Sequence, residues 1–177
     1  MKALILAAGF GTRLEPLTLG VPKPMVSLVN KPIMQHNIEL LKKYGFKDIT
    51  ANIHYFPEQI ENYFGDGHRF GVKLSYSFEE KLMGTAGGVK RMAKLTGGID
   101  DTFLVLSSDA LTDINLNHII EFHKDRKALV TIALAEVSDT TQFGVVITEK
   151  DGRIKAFQEK PKKGEELSNL VNSGIYV

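Results

Sequence analysis

A chain of 177 residues, 43% hydrophobic and 24% charged, has the size and composition of one soluble globular domain with a real core rather than a disordered or coiled-coil chain. Its 22 Lys and Arg against 21 Asp and Glu leave a formal charge of +1, without the cationic excess of a nucleic-acid-binding domain. It has no cysteine, which excludes disulfides and thiolate-held zinc or iron–sulfur centres.

The apolar run Lys2–Ala8 ends at Gly9 and predicts a strand buried on both faces. It is shorter than a signal-peptide core and far short of a span of about 20 residues, so the expectation is a cytoplasmic protein without a membrane segment. Gly9 to Lys31 is punctuated by Gly11, Pro16, Gly20, Pro22 and Pro24, and reads as a long loop of the kind that carries function. Pro32 opens a helix with Ile33, Leu40, Leu41 and Tyr44 near one face, closed by Gly45. The pattern then predicts a strand over Asp48–Tyr55, a short helix over Pro57–Phe64, and a strand over Val72–Phe78. A helix follows over Thr85–Leu95, weakened at its start by Gly87 and Gly88, and a short apolar strand over Phe103–Ser107. Asn115 is placed to cap a helix over Asn115–Lys124. Ala128–Val137 reads as a β-branched strand, and Phe143–Thr148 with Arg153–Gln158 as a hairpin around Lys150-Asp151-Gly152. Asn172–Val177 is a last apolar run. Strands alternating with helices predict an α/β fold with a parallel or mixed sheet covered on both faces.

Gly9-Phe10-Gly11-Thr12-Arg13-Leu14 follows the first strand directly. Leu14 stands where a dinucleotide fingerprint needs its third Gly, and the Lys-Ser/Thr of a P-loop is missing, so neither of those motifs is present. What remains is a glycine turn with free amides, the Thr12 hydroxyl and the Arg13 guanidinium, which has the composition of a phosphate cradle. An ordinary strand-to-loop turn is the plainer alternative. In Val21-Pro22-Lys23-Pro24-Met25, two prolines stiffen the backbone around one lysine, preorganising a cation for an anion. Asp109 ends an apolar strand, where open α/β sheets place ligands, and is the candidate Mg²⁺ ligand; a turn or cap role is the alternative. The five histidines are scattered, and His118 and His123 do not share a helix face as zinc ligands would.

Taken together, Ala7 to Thr18 and Pro22-Lys23-Pro24-Met25 resemble the signature of the sugar-1-phosphate nucleotidyltransferases, and the resemblance continues to the C-terminus. Leu82-Met83-Gly84-Thr85-Ala86-Gly87 is similar to the family's nucleobase-side loop, in the form of its mannose-1-phosphate guanylyltransferase branch. Phe103–Asp109 is similar to the strand ending in its metal-binding aspartate, although Ser108 stands where the family commonly has Gly. Phe143-Gly144-Val145-Val146, Glu159-Lys160-Pro161 and Asn172–Val177 match its sugar-side segments.

The resemblance implies a three-layer α/β/α Rossmann-like fold with a mixed, mostly parallel sheet. It implies transfer of a nucleotidyl group from an NTP, GTP being favoured, to a sugar 1-phosphate, mannose 1-phosphate in the first instance, with Mg²⁺. Arg13, Lys23 and Asp109 are the implied catalytic residues, Asp109 as metal ligand. Ala8, Gly9, Gly11, Thr12, Arg13, Gly84 and Thr85 would bind the nucleotide; Lys23, Gly144, Glu159, Lys160 and Asn172 would bind the sugar phosphate. Family catalytic domains continue through further strands and a second metal-binding aspartate. Residues 1–177 are therefore expected to be one catalytic domain truncated at its C-terminus, open to self-association through exposed strand edges. The alternative is a binding module for a nucleotide or sugar phosphate with little turnover.

Overall fold

A computed structural model describes residues 1–99 and 101–177. The chain runs β1 (Lys2–Leu6), two 3-10 turns (Thr12–Leu14 and Lys23–Met25), a two-stranded ribbon β2 (Ser27–Leu28) and β3 (Lys31–Pro32), then α1 (Ile33–Lys43) and β4 (Asp48–Ile53). It continues with α2 (Pro57–Phe64), β5 (Lys73–Phe78), α3 (Gly84–Leu95), β6 (Leu104–Ser107) and α4 (Leu116–Asp125). Strands β7 (Ile132–Glu136), β8 (Gly144–Thr148), β9 (Ile154–Glu159) and β10 (Leu170–Tyr176) complete it. Every helix and strand expected from the sequence is present, although the strand expected over Ala128–Val137 is confined to Ile132–Glu136. The long loop also folds locally, into the two 3-10 turns and the ribbon.

The strands form one mixed sheet in the order β5–β4–β1–β6–β10–β8–β9, with β7 also paired to β10. The pairings β1–β4, β1–β6 and β4–β5 are parallel. Those of β10 with β6, β7 and β8, and of β8 with β9, are antiparallel. The parallel character is thus confined to the first half of the sheet, a smaller share than the expected mostly parallel arrangement. The alternation of strand and helix ends at α4; beyond it β8 and β9 pair as a hairpin, and β10 returns antiparallel between β6 and β8 without a crossover helix.

Alternation along β1 sorts the core into layers. Ala3 and Ile5 face a cluster with Met34, Ile38 and Leu41 of α1, Ile60 and Phe64 of α2, and Leu116, Ile119 and Ile120 of α4. Leu4 faces the other way, against Met92 of α3 and Val105. Three helices therefore cover one face and α3 the other, giving three layers. Asn115 caps α4 as expected, its side chain accepting from the Asn117 and His118 amides. Gly88 of α3 has a packing reason: a Cβ there would fall 2.7 Å from Asn52 Nδ2 and 2.9 Å from Glu79 Oε1. No helix among the described residues is long and apolar enough to cross a membrane.

Candidate active site

Four loops meet at the carboxyl ends of the parallel strands, and the first is the glycine turn after β1. Gly11 adopts φ +73° there, a left-handed conformation that favours glycine. A Cβ at Gly11 would lie 2.9 Å from Lys23 Cβ and 3.1 Å from Thr18 Cγ2. The Gly11 carbonyl accepts from Thr18 Oγ1 at 2.9 Å and from the Leu14 amide at 2.8 Å. The turn is thus folded back on the Pro-Lys-Pro segment. Ala8 is buried, whereas Gly9, Thr12 and Arg13 stay exposed around the turn. Pro22 and Pro24 are buried and hold Lys23 between them.

Lys23 reaches the loop after β6. Its Nζ donates to Asp109 Oδ2 in an ion pair whose side chains are only partly accessible. The structure therefore brings together three segments singled out from the sequence: Gly11, Lys23 and Asp109. The turn before Asp109 is fixed from below by Asn37 of α1, 1% exposed, whose Nδ2 donates to the Ser108 carbonyl at 2.9 Å and the Ser107 carbonyl at 3.3 Å. Ser108 is buried, its amide donating to the Leu6 carbonyl, and it is not among the residues with positive φ, so no glycine is needed there.

Gly84 and Thr85 are exposed at the start of α3, Gly84 with φ +69°. Beneath them lies a buried polar chain. The Ala7 amide donates to Asn52 Oδ1 at 2.7 Å, Asn52 Nδ2 donates to Glu79 Oε1 at 2.8 Å, and the Met83 amide donates to Glu79 Oε2 at 3.0 Å. Phe10, exposed in the glycine turn, packs edge-on against His54 and Tyr55 at centroid distances of 5.2 and 5.4 Å. Tyr55 Oη and Gln59 Nε2 donate to the carbonyls of Leu19 and Gly20, holding the far side of the long loop.

The second half of the sheet delivers the remaining candidates to the same end. Antiparallel β10 lays Ile175 against Leu106, so a Cβ at Gly174 would meet Ser107 Oγ at 2.6 Å. Val171 pairs with Val145, which puts Asn172 beside Gly144, and Gly144 pairs directly with Glu159. A Cβ at Gly144 would sit 3.2 Å from Glu159 Oε2. Lys160 takes φ +44°, its amide donates to the Phe143 carbonyl, and its Nζ lies 3.7 Å from Glu159 Oε1. Asn172 is already engaged: Nδ2 donates to Tyr176 Oη, and Oδ1 accepts from the Gly174 amide.

Asn37, Asn52 and the inward-facing carboxyl of Glu79 are not among the residues that the sequence singles out. A buried Asn beside apolar residues at a strand or helix position is the signal that could have found them, since such a group must have partners. A cleft of about 320 Å³ opens elsewhere, between α4, β7 and the β8–β9 turn, and none of the candidate residues lines it. Among the described residues no group of three or more His, Asp or Glu is placed to hold a metal by itself. Asp109 offers one hard carboxylate beside exposed cradle residues, which fits Mg²⁺, an ion that takes one or two carboxylates and completes its shell with phosphate oxygens.

An α/β sheet whose parallel-strand ends gather a glycine turn, a clamped lysine and an aspartate sets these polar residues where open α/β folds bind their ligands. This chain belongs to the nucleotidyl transferase family, whose model matches residues 2–177. It is 44% identical over 188 residues to a UTP–glucose-1-phosphate uridylyltransferase of Synechocystis sp., covering 100% of this chain and 48% of that one. It is 41% identical over 180 residues to mannose-1-phosphate guanylyltransferase 1 of Arabidopsis thaliana, covering 100% and 49%. The crystal structure of HddC from Yersinia pseudotuberculosis complexed with GMP-PN superposes with a TM-score of 0.82 at 27% identity, over 99% of this chain and 75% of that one. The chain spans about half the length of the curated relatives it matches.

Proposed function

We propose that this site joins a nucleoside triphosphate to a sugar 1-phosphate, releasing pyrophosphate and forming a nucleoside-diphosphate sugar. The observation that carries the reading is the meeting of Gly11, Lys23 and Asp109, which sets a cradle, a fixed cation and a metal-compatible carboxylate at one point. A sugar-phosphate oxygen attacks the α-phosphorus in line. The new P–O bond forms as the α–β bridging P–O bond breaks, and the electron pair leaves with pyrophosphate. No protein nucleophile is required. The work is to hold two polyanions together and offset developing charge.

Lys23, stiffened by its flanking prolines, sits between the nucleotide and sugar-phosphate sides and bridges their phosphates. Arg13, exposed beside the cradle, neutralises the departing pyrophosphate. Amides of the Gly9–Thr12 turn bind triphosphate oxygens, Ala8 with Gly84 and Thr85 frames the base, and Lys160 steadies the sugar phosphate. Gly144, Glu159 and Asn172 line the sugar side, where Gly144 allows a ring to approach the backbone and Glu159 accepts from hydroxyls. Asp109 would hold Mg²⁺, which when bound supplies charge neutralisation on the phosphates; the Lys23 ammonium then turns to phosphate.

The loop Leu82–Gly87 favours GTP and mannose 1-phosphate. The 44% identity to a uridylyltransferase favours UTP and glucose 1-phosphate as the second reading. Incubating the protein with both pairs at equal concentration and identifying the nucleotide sugar by mass spectrometry decides between them. GDP-mannose as the major product supports the first reading, UDP-glucose overturns it in favour of the second, and a product of neither pair rejects both.

A further inference from the structure

Among the ion pairs of the described residues none involves Glu79, although its side chain carries a carboxyl group and is only 1% exposed. Both carboxyl oxygens are instead committed, one to Asn52 and one to the Met83 amide. Asn52 is 4% exposed and passes the link to the Ala7 amide. The two ends of this chain sit next to the proposed nucleotide-binding backbone: Ala7 precedes Ala8, and Met83 precedes Gly84. A parallel link runs from the Glu79 carbonyl, 2.7 Å from His54 Nδ1, through the His54 ring to Phe10 of the glycine turn. Gly88 leaves no Cβ where one would strike both Asn52 and Glu79.

We propose that Asn52 and Glu79 are positioning residues that set the separation of the two loops gripping the nucleoside; this rests on the nucleotidyltransferase reading above. Both side chains are buried, and the hydrogen bonds described for them are all to protein groups. Each hydrogen bond in the chain has a fixed polarity: the backbone amides donate inward at both ends, so Asn52 must accept from Ala7 and donate to Glu79, and Glu79 must accept twice. The spacing of the loops is therefore coded in two side chains at the ends of neighbouring strands, not in the loops' own contacts.

That polarity gives the test. Glu79→Gln keeps the volume but turns one acceptor into a donor facing the Asn52 amide. Asn52→Asp places two carboxylates in contact. The double variant Asn52→Asp/Glu79→Gln restores every donor–acceptor match with the middle link reversed, the new amide at position 79 donating to the new carboxylate at position 52. Affinities of the full chain for GTP and UTP are measured by calorimetry, KM for the sugar 1-phosphate is measured by turnover, and thermal unfolding is recorded in parallel. Each single variant is expected to weaken nucleotide affinity by about tenfold, the loss of one hydrogen bond to a charged or buried group. KM for the sugar 1-phosphate stays within about twofold, and the double variant recovers most of the nucleotide affinity. Unchanged nucleotide affinity in both single variants, or no recovery in the double variant, overturns the proposal while nucleotide binding by the unmodified protein stands. If the unmodified protein binds none of the four common nucleoside triphosphates, the functional reading itself is overturned, and with it the site this chain of bonds would serve.

Discussion

At Gly11 one missing Cβ serves both backbone and site. Its positive φ and its approach to Lys23 mean that Gly11→Ala meets two penalties: about 1–2 kcal/mol for a left-handed L-residue, and displacement of the Lys23 stem. The melting temperature should fall by a few degrees, while turnover per bound substrate falls further because the cation moves. A loss confined to stability would show that Lys23 is not held by this contact. Lys23→Ala removes the cation itself. It should lower turnover by about 10²–10³-fold and leave the circular dichroism spectrum unchanged. Asp109→Asn should raise the Mg²⁺ concentration required for half-maximal rate sharply; an unshifted Mg²⁺ titration would contradict its assignment as metal ligand. Lys23 and Asp109 stand out one by one as candidates in the sequence, because a cation between prolines or a carboxylate after an apolar strand is a local pattern. That Lys23 and Asp109 touch is not legible there, since 86 positions separate them.

The elements position these residues through buried polar contacts more than through their own propensities. Asn37 is the clearest instance, reaching from the core face of α1 to the carbonyls before Asp109. Asn37→Ala leaves those acceptors without their donor and should cost about 1–3 kcal/mol in chemical denaturation, with a loosened Asp109 turn visible as faster amide exchange at Asp109 and Ala110. Helix α3 hangs on a thinner contact, Met92 against Leu4 and Val105. Met92→Ala should destabilise by about 2–5 kcal/mol and weaken nucleotide binding through Gly84 and Thr85, measured by denaturation and calorimetry on the same sample. The helices and strands themselves were readable because their cues are local: Pro32 and Gly45 bracketing α1, Asn115 capping α4, and alternation along β4 and β5. Asn52 and Glu79 were not readable as a pair. Along the chain each is one polar residue among several, and the partners that give them meaning lie 45 and 27 positions away.

Across the whole molecule the sheet divides the labour. The parallel half carries the glycine turn, Lys23 and Asp109, while the antiparallel half brings Gly144, Glu159, Lys160 and Asn172 to the same end. Composition hides this arrangement: a net charge of +1 coexists with Arg13, Lys23 and Lys160 at one end of the sheet, where Asp109 and Glu159 pair with two of them. The most direct test of the central claim is pyrophosphate release by the protein with Mg²⁺, the four common nucleoside triphosphates and a panel of sugar 1-phosphates, with the Lys23→Ala variant alongside. Release in equal amount with a nucleotide sugar is expected for at least one combination, with near-complete loss in the variant. Folded protein that releases no pyrophosphate in any combination, or a variant that releases it as fast as the unmodified protein, would contradict that claim.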